Sequence, residues 1–142
     1  MSSRYGLQIR SPDAGDAPGL SELLEVPVPA ERIDALRQDK GVILIAVEWG
    51  PPSGVIVVHW RPTLTDARPV AEASLLLVAP ADRRRGIGRM LLKAAAQAAR
   101  SAGCDVLRLV APPDQPELQA FCRATGFSET GSLFVRPLRK KV

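Results

Sequence analysis

The apolar positions of this 142-residue chain change their spacing from segment to segment, and the changes predict a mixture of strands and helices. Short runs rich in Val, Ile and Leu, bounded by Gly and Pro clusters, are typical of strands. Six such runs occur, at Tyr5–Arg10, Val42–Val47, Val55–Trp60, Val70–Val78, Cys104–Val110 and Leu133–Leu138. The second and third flank the turn sequence 50–54, Gly-Pro-Pro-Ser-Gly, which predicts an antiparallel hairpin.

Four other segments carry apolar residues three and four positions apart, which predicts helices. The first follows Ser11-Pro12-Asp13, and the second covers Ala30–Gln38. The third begins near Gly88 and is stopped by Gly103. The fourth is predicted to use Asp114 and Glu117 as a capping box and to end at Gly126-Phe127.

The order of these elements predicts an α/β fold of the α+β type, built as a single domain over residues 1–142. The hairpin makes the first half of the sheet antiparallel. The helix between strands Val70–Val78 and Cys104–Val110 predicts that these two strands are parallel.

Composition narrows the classes of function. The chain is 46% hydrophobic and 24% charged and lacks an apolar run of about 18 residues. We therefore expect no membrane association and, without a signal pattern, a cytoplasmic location. Two cysteines and one histidine match no metal-binding spacing, so no metal is expected. Net charge is +4, but only 4% of residues are aromatic, which makes a nucleic-acid partner unlikely.

The most informative segment is Ser74–Leu92, in which a strand-like run leads through the basic turn Arg83–Gly88 into a helix. Glycines in a turn expose backbone amides, and a helix start attracts anions, so the segment predicts a diphosphate site. A P-loop is excluded because Gly-x4-Gly-Lys-Ser/Thr is missing from the chain. A dinucleotide fingerprint fits poorly because Leu91 stands where the third glycine belongs.

The pattern Val78, Pro80, Arg83, Gly86 and Gly88, followed by a two-faced helix, resembles the acyl-CoA site of the GNAT superfamily of N-acetyltransferases. A second element, residues 120–127 (Ala-Phe-Cys-Arg-Ala-Thr-Gly-Phe), resembles that family's helix end. The resemblance implies a mixed, mainly antiparallel sheet of six to seven strands with about four flanking helices. Its one central parallel pair would be splayed at the cofactor site.

The resemblance also implies a reaction. An acetyl group would pass from acetyl-CoA to the primary amine of a small molecule or peptide, by direct attack in a ternary complex. The backbone amide of Leu76 would face the thioester oxygen. The residues implied to contact acetyl-CoA are Leu76, Leu77, Val78, Arg83, Arg84, Arg85, Gly86, Ile87, Gly88 and Arg89.

Three side chains are candidates for proton transfer. Glu72 resembles the family's general base, although an exposed strand residue or a salt bridge explains it equally well. His59 is a second candidate base, and a lone histidine is more often structural. Cys122 stands where many members carry a tyrosine as general acid. A thiol is able to donate a proton, but a buried cysteine is usually a small hydrophobe.

The end of the chain departs from the family, since fifteen residues follow Phe127 where two strands are common. A homodimer in which a second copy completes the acceptor wall is one hypothesis. A non-catalytic acyl-CoA-binding regulatory or accessory protein is the alternative function. The acceptor itself stays open among small amines, antibiotics, polyamines, protein N-termini and charged tRNA.

Overall fold

The computed structural model describes residues 6–139, and the chain divides into two compact units, Met1–Leu109 and Val110–Val142. The first unit contains five strands: β1 (Gln8–Arg10), β2 (Gly41–Val47), β3 (Gly54–Arg61), β4 (Val70–Val78) and β5 (Leu107–Leu109). Its helices are α1 (Ala17–Leu24), α2 (Ala30–Gln38) and α3 (Ile87–Ser101), with short 3-10 turns at Ala14–Asp16 and Pro80–Asp82. The second unit contains α4 (Pro116–Ala124).

The five strands form one sheet in the order β1-β2-β3-β4-β5. Neighbouring strands are antiparallel except β4 and β5, which are parallel because α3 connects them. The mixed fold and its single parallel pair are confirmed. The number of strands is five across residues 6–139, rather than six to seven.

The difference lies mainly at Leu133–Leu138, where the strand prediction is wrong. This apolar segment has no regular secondary structure, and Phe134 and Val135 are exposed. An alternating or apolar sequence becomes a strand only when a neighbouring backbone accepts its hydrogen bonds. β5 is also shorter than the predicted Cys104–Val110, and Tyr5 of the first predicted strand lies outside the described residues.

Helices cover both faces of the sheet in the first unit. On one face, the α3 residues Ile87, Leu91 and Ala95 are buried against β3 and β4. On the other face, Leu20 of α1 and Ile33 of α2 pack into a second apolar cluster. Within residues 6–139 no helix combines the length and the apolar character needed to cross a bilayer.

A glycine sets how closely α3 approaches the sheet. A Cβ atom at the buried Gly54 of β3 would lie 3.0 Å from Leu91 Cδ1 and 3.1 Å from Ile87 Cγ2. Both contacts are tighter than ordinary packing, so these two side chains would have to shift by a few tenths of an ångström to admit a methyl group. Gly54 therefore allows the first turns of α3 to pack closely on β3.

The predicted cap of α4 is wrong, while its predicted end is right. The N-cap is Gln115 rather than Asp114, and its side chain makes no capping hydrogen bond. Pro116 starts the helix instead, since its fixed φ suits the first helical turn. At the other end, Gly126 has a φ of 95° and the Phe127 amide donates to the Cys122 carbonyl at 3.0 Å.

Candidate functional site

The basic turn presents a row of backbone amides at the start of α3. Arg84 and Gly86 have φ angles of 69° and 79°, which turn the chain sharply before Ile87 begins the helix. Over residues 84–89, no amide donates to a carbonyl or side chain among the residues that the structure describes. A Cβ atom at Gly86 would meet nothing within 4 Å. The turn is therefore an open cradle with the charge preference of a helix N-terminus.

The edge of β4 beside this cradle is unpaired in the sheet. Within the described part of the first unit, β5 pairs with β4 from Ala71 to Ala73 and no further. The Ala79 amide donates to Ser53 on the β3 side, at 2.8 Å. Since amides alternate between the two edges of a strand, those of Leu76 and Val78 point to the edge that β5 leaves open. This edge offers main-chain groups to an extended ligand.

The three arginines of the turn have different surroundings. Arg85 forms ion pairs with Glu48 at 2.7 Å and with Asp82 at 2.8 Å, so its side chain ties the turn to the end of β2. The Arg83 Nε donates to the Val78 carbonyl at 3.3 Å. Arg84 and, on α3, Arg89 are exposed. The ion pair of Arg85 with Glu48 was not evident in the sequence, because Glu48 is distant along the chain.

A group of polar side chains lies on the opposite sheet face from α3, at the other end of β4. His59 on β3 pairs in register with Glu72 on β4. The His59 Nε2 lies 2.9 Å from Ser74 Oγ, and its Nδ1 lies 3.7 Å from Asp39 Oδ2. His59 is half-buried, whereas Glu72 is exposed and makes no hydrogen bond or ion pair among residues 6–139.

A β-bulge creates this arrangement. Val57 pairs with Leu75 and Val58 pairs with Ala73, so Ser74 is an extra residue on β4 without a register partner. A bulge redirects a side chain and is common beside active sites. Ser74 and Asp39 were not among the residues predicted from sequence. The signal for Ser74 was the loss of alternation directly after it, where the polar positions Glu72 and Ser74 give way to the continuous apolar run 75–78.

Cys122 belongs to the second unit and is buried on α4. Burial raises the pKa of its thiol, and the positive charge of Arg123 opposes this effect more weakly. The thiol is therefore protonated at neutral pH. Among the described residues, no group of three or more His, Cys, Asp or Glu side chains is arranged to hold a metal ion.

A sequence model of the acetyltransferase (GNAT) family matches residues 10–127. No curated protein sequence gives a match to this chain.

Several solved structures have the same fold. A Trypanosoma brucei acetyltransferase has a TM-score of 0.80 at 22% identity, over 93% of this chain and 99% of that chain. A putative acetyltransferase from Agrobacterium tumefaciens has a TM-score of 0.79 at 29% identity, over 92% and 99%. The aminoglycoside acetyltransferase AAC(6')-Iy, in complex with a CoA-linked acetylneamine analogue, has a TM-score of 0.77 at 22% identity, over 94% and 99%.

Proposed function

This chain belongs to the acetyltransferase (GNAT) family, and we propose that it transfers an acetyl group from acetyl-CoA to a primary amine while both substrates are bound. It is an enzyme of the N-acetyltransferase class. The observation that carries the proposal is the open row of amides over residues 84–89, next to the unpaired edge of β4. The amides would bind a pyrophosphate, and the strand edge beside them would bind an extended arm that contains amide groups.

The residues of the cradle fit acetyl-CoA, which supplies an acetyl group activated as a thioester. The amides over 84–89 would bind the pyrophosphate, helped by the exposed Arg84 and Arg89. Arg83 and Arg85 shape the turn through their contacts with the β4 end and with Glu48. Gly86 keeps the approach open, since a side chain there would occupy the space above the amides.

The free edge of β4 would bind the pantetheine arm. Leu76 and Val78 direct their amides to this edge, as a β-strand does toward an added neighbour. The Leu76 amide would donate a hydrogen bond to the thioester oxygen, where negative charge develops during attack. Leu77 contributes its side chain to the apolar cluster under α1 and α2, so its role is to hold the strand.

The acceptor must lose a proton before its nitrogen attacks, and Glu72 and His59 stand on the sheet face that is free of α3. Glu72 is exposed, so it is able to accept a proton directly from a bound ammonium group or through water. We propose that the leaving thiolate takes its proton from solvent. Cys122 then serves packing, because its thiol is buried and a weak acid.

The acceptor that we propose is a polyamine-like or aminosugar amine, since two structurally similar proteins are described as aminoglycoside acetyltransferases. We also propose a homodimer. The apolar segment Leu133–Leu138 is exposed in the structure and is a surface that a second copy would cover.

The donor site is tested by calorimetric titration of acetyl-CoA into the wild type and Gly86→Glu. Wild type is expected to bind, and Gly86→Glu is expected to lose binding because its carboxylate occupies the cradle. Gly103→Glu is the matched control, because Gly103 also has a positive φ and open space but lies beyond the other end of α3. Equal affinity in all three proteins would place the diphosphate elsewhere.

Turnover is tested with neamine and spermidine as probe amines, by following the release of free CoA. Release of free CoA that requires the amine would support the proposed transferase activity. Binding of acetyl-CoA without release, across a panel that includes peptide N-termini, would favour the non-catalytic acyl-CoA-binding protein.

A further inference from the structure

A serine, a histidine and an aspartate lie in a row on the side of the sheet opposite α3. Ser74 Oγ contacts His59 Nε2 at 2.9 Å, and His59 Nδ1 faces Asp39 Oδ2 at 3.7 Å. The three residues come from different elements, namely β4, β3 and the end of α2. Their order is that of a hydroxyl, an imidazole and a carboxylate, the arrangement in which a histidine moves protons.

The carboxylate of Asp39 favours one tautomer of the His59 ring. Because a carboxylate is negatively charged and only accepts hydrogen bonds, it favours the neutral ring with its proton on Nδ1, the nitrogen that faces Asp39. Nε2 then has the free electron pair, and the Ser74 hydroxyl donates to it. The second oxygen of Asp39 accepts from the Lys40 amide at 2.8 Å, which holds the carboxylate in place. The 3.7 Å separation is an electrostatic contact and not a hydrogen bond.

The position of Ser74 connects this row to the proposed chemistry. Ser74 is exposed, so the oxygen that donates to His59 is also open to a ligand. It lies on β4, two residues before Leu76, whose amide points to the open edge. The bulge puts Ser74 at this point on the face shared with Glu72 and His59, whereas Ala71 and Ala73 are buried toward α3.

We propose that Ser74, His59 and Asp39 form the proton relay that deprotonates the acceptor amine, with Ser74 in contact with the substrate; this rests on the proposed transferase function. One N–H bond of the ammonium group breaks as its proton passes to Ser74 Oγ. The original hydroxyl proton of Ser74 moves to His59 Nε2. The resulting imidazolium is paired with Asp39 and releases its proton to solvent through its exposed edge. The titratable groups beside the ring are Asp39, which directly follows α2, and Glu72 on β4.

The relay makes Ser74 and His59 catalytic residues and Asp39 a positioning residue. Ser74→Ala and His59→Gln are expected to lower kcat with neamine or spermidine by about 100-fold, with little change in acetyl-CoA affinity. The loss is expected to be greatest at low pH, where the amine most needs a base. Ser74→Thr keeps the hydroxyl and is expected to recover most of the activity. Ser101→Ala, an exposed serine at the end of α3, is the control.

Two outcomes would overturn the relay. In one, Ser74→Ala and His59→Gln keep the wild-type pH profile while Glu72→Gln loses the acidic limb, which would make Glu72 the base. In the other, intact mass spectrometry finds an acetyl group on Ser74 after incubation with acetyl-CoA, which would make the serine a nucleophile.

A measurement without any acceptor separates the relay from the proposed function. His59 is the single histidine of the chain, so its ring nitrogens give one unambiguous pair of signals in nitrogen-15 NMR. The neutral ring is expected to carry its proton on Nδ1, and Ser74→Ala is expected to shift the Nε2 signal. A proton on Nε2, or an unchanged signal in Ser74→Ala, would overturn the relay even if acetyl-CoA binds. Failure of acetyl-CoA to bind to the wild type would instead count against the proposed function.

Discussion

Gly41 shows how a single residue controls the surroundings of His59. It begins β2 directly opposite His59, and its φ of 153° lies outside the range that side chains readily adopt. A Cβ atom here would collide with the Val58 carbonyl and would lie 3.0 Å from the His59 Cα. Because these neighbours are backbone atoms of the central strand β3, they have little freedom to move aside.

We therefore expect Gly41→Ala to lower the free energy of unfolding by about 2 kcal/mol, as measured by urea denaturation. Gly50→Ala is the control, because Gly50 has a positive φ but open space around it. The difference between the two variants isolates the collision with β3. Equal destabilisation would mean that backbone strain accounts for the whole effect and that β2 has room at this point.

The candidate residues differ in how far the sequence could predict them. The glycines and arginines of the turn were recognisable because an anion cradle is local, formed by consecutive residues 83–89. The row of Ser74, His59 and Asp39 was not, since it depends on a strand register and on a bulge. For Cys122 the sequence favoured a packing role over that of a general acid. Its burial, which raises the pKa of the thiol, favours packing.

At the level of elements, the 3-10 turn that leads into α1 is held by hydrogen bonds to acidic side chains, some of which come from Arg10 at the end of β1. Asp16 accepts two hydrogen bonds from Arg10, at 2.8 and 2.9 Å, and a third from the Asp13 amide at 2.8 Å. The Asp13 side chain in turn accepts from the Gly15 amide, completing a capping box. The hydrogen bonds from Arg10 hold the pKa of Asp16 below its usual value.

A carboxyl group with a lowered pKa stabilises the fold when it is ionised. Its contribution is present above the unfolded-state pKa of about 3.9 and is lost as the pH falls through the lower folded-state value. We expect Asp16→Asn to cost about 1 kcal/mol at neutral pH and progressively less below pH ~4, as followed by urea denaturation at several pH values. Asp34→Asn, on the exposed face of α2, is expected to have little effect. A constant difference at all pH values would exclude the charge of Asp16 as the cause.

The predicted elements are accurate where neighbouring residues define their ends, and less accurate where residues distant along the chain do. α2 and β4 have the predicted bounds, because their ends are marked by local breakers or charged turns. β5 is shorter than predicted, and Leu133–Leu138 is not a strand, since strand pairing depends on distant backbone. The capping box assigned to Asp114 failed for a local reason: Gln115 is the N-cap and Pro116 the first helical residue, so the helix starts one residue later than predicted.

At the scale of the whole molecule, the first unit separates the two halves of the proposed reaction. The donor features lie where β4 ends and α3 begins, and the polar row lies nearer the other end of β4, on the face away from α3. The open edge of β4 at Leu76 lies between them along the strand. In the proposed reaction a single strand would carry groups for both substrates, which suits direct transfer without a covalent intermediate.

The exposed tail gives a prediction about assembly. Leu133, Phe134, Val135 and Leu138 are between 65% and 91% exposed, an unusual density of apolar side chains for a surface. If a second copy covers this segment, sedimentation velocity is expected to show a dimer. Burying one large side chain contributes about 2 kcal/mol, and a homodimer carries the substitution in both copies, so Phe134→Asp is expected to weaken dimerisation by up to about 1,000-fold.

Ser132→Asp is the matched control, because it adds the same charge to the same exposed segment without removing an apolar group. It is expected to leave the dimer nearly intact, whereas a loss equal to that of Phe134→Asp would point to charge repulsion. A wild-type protein that is monomeric and fully active would show that neither the segment nor the acceptor site needs a second copy. A dimer that Phe134→Asp leaves unchanged would place the contact on another surface.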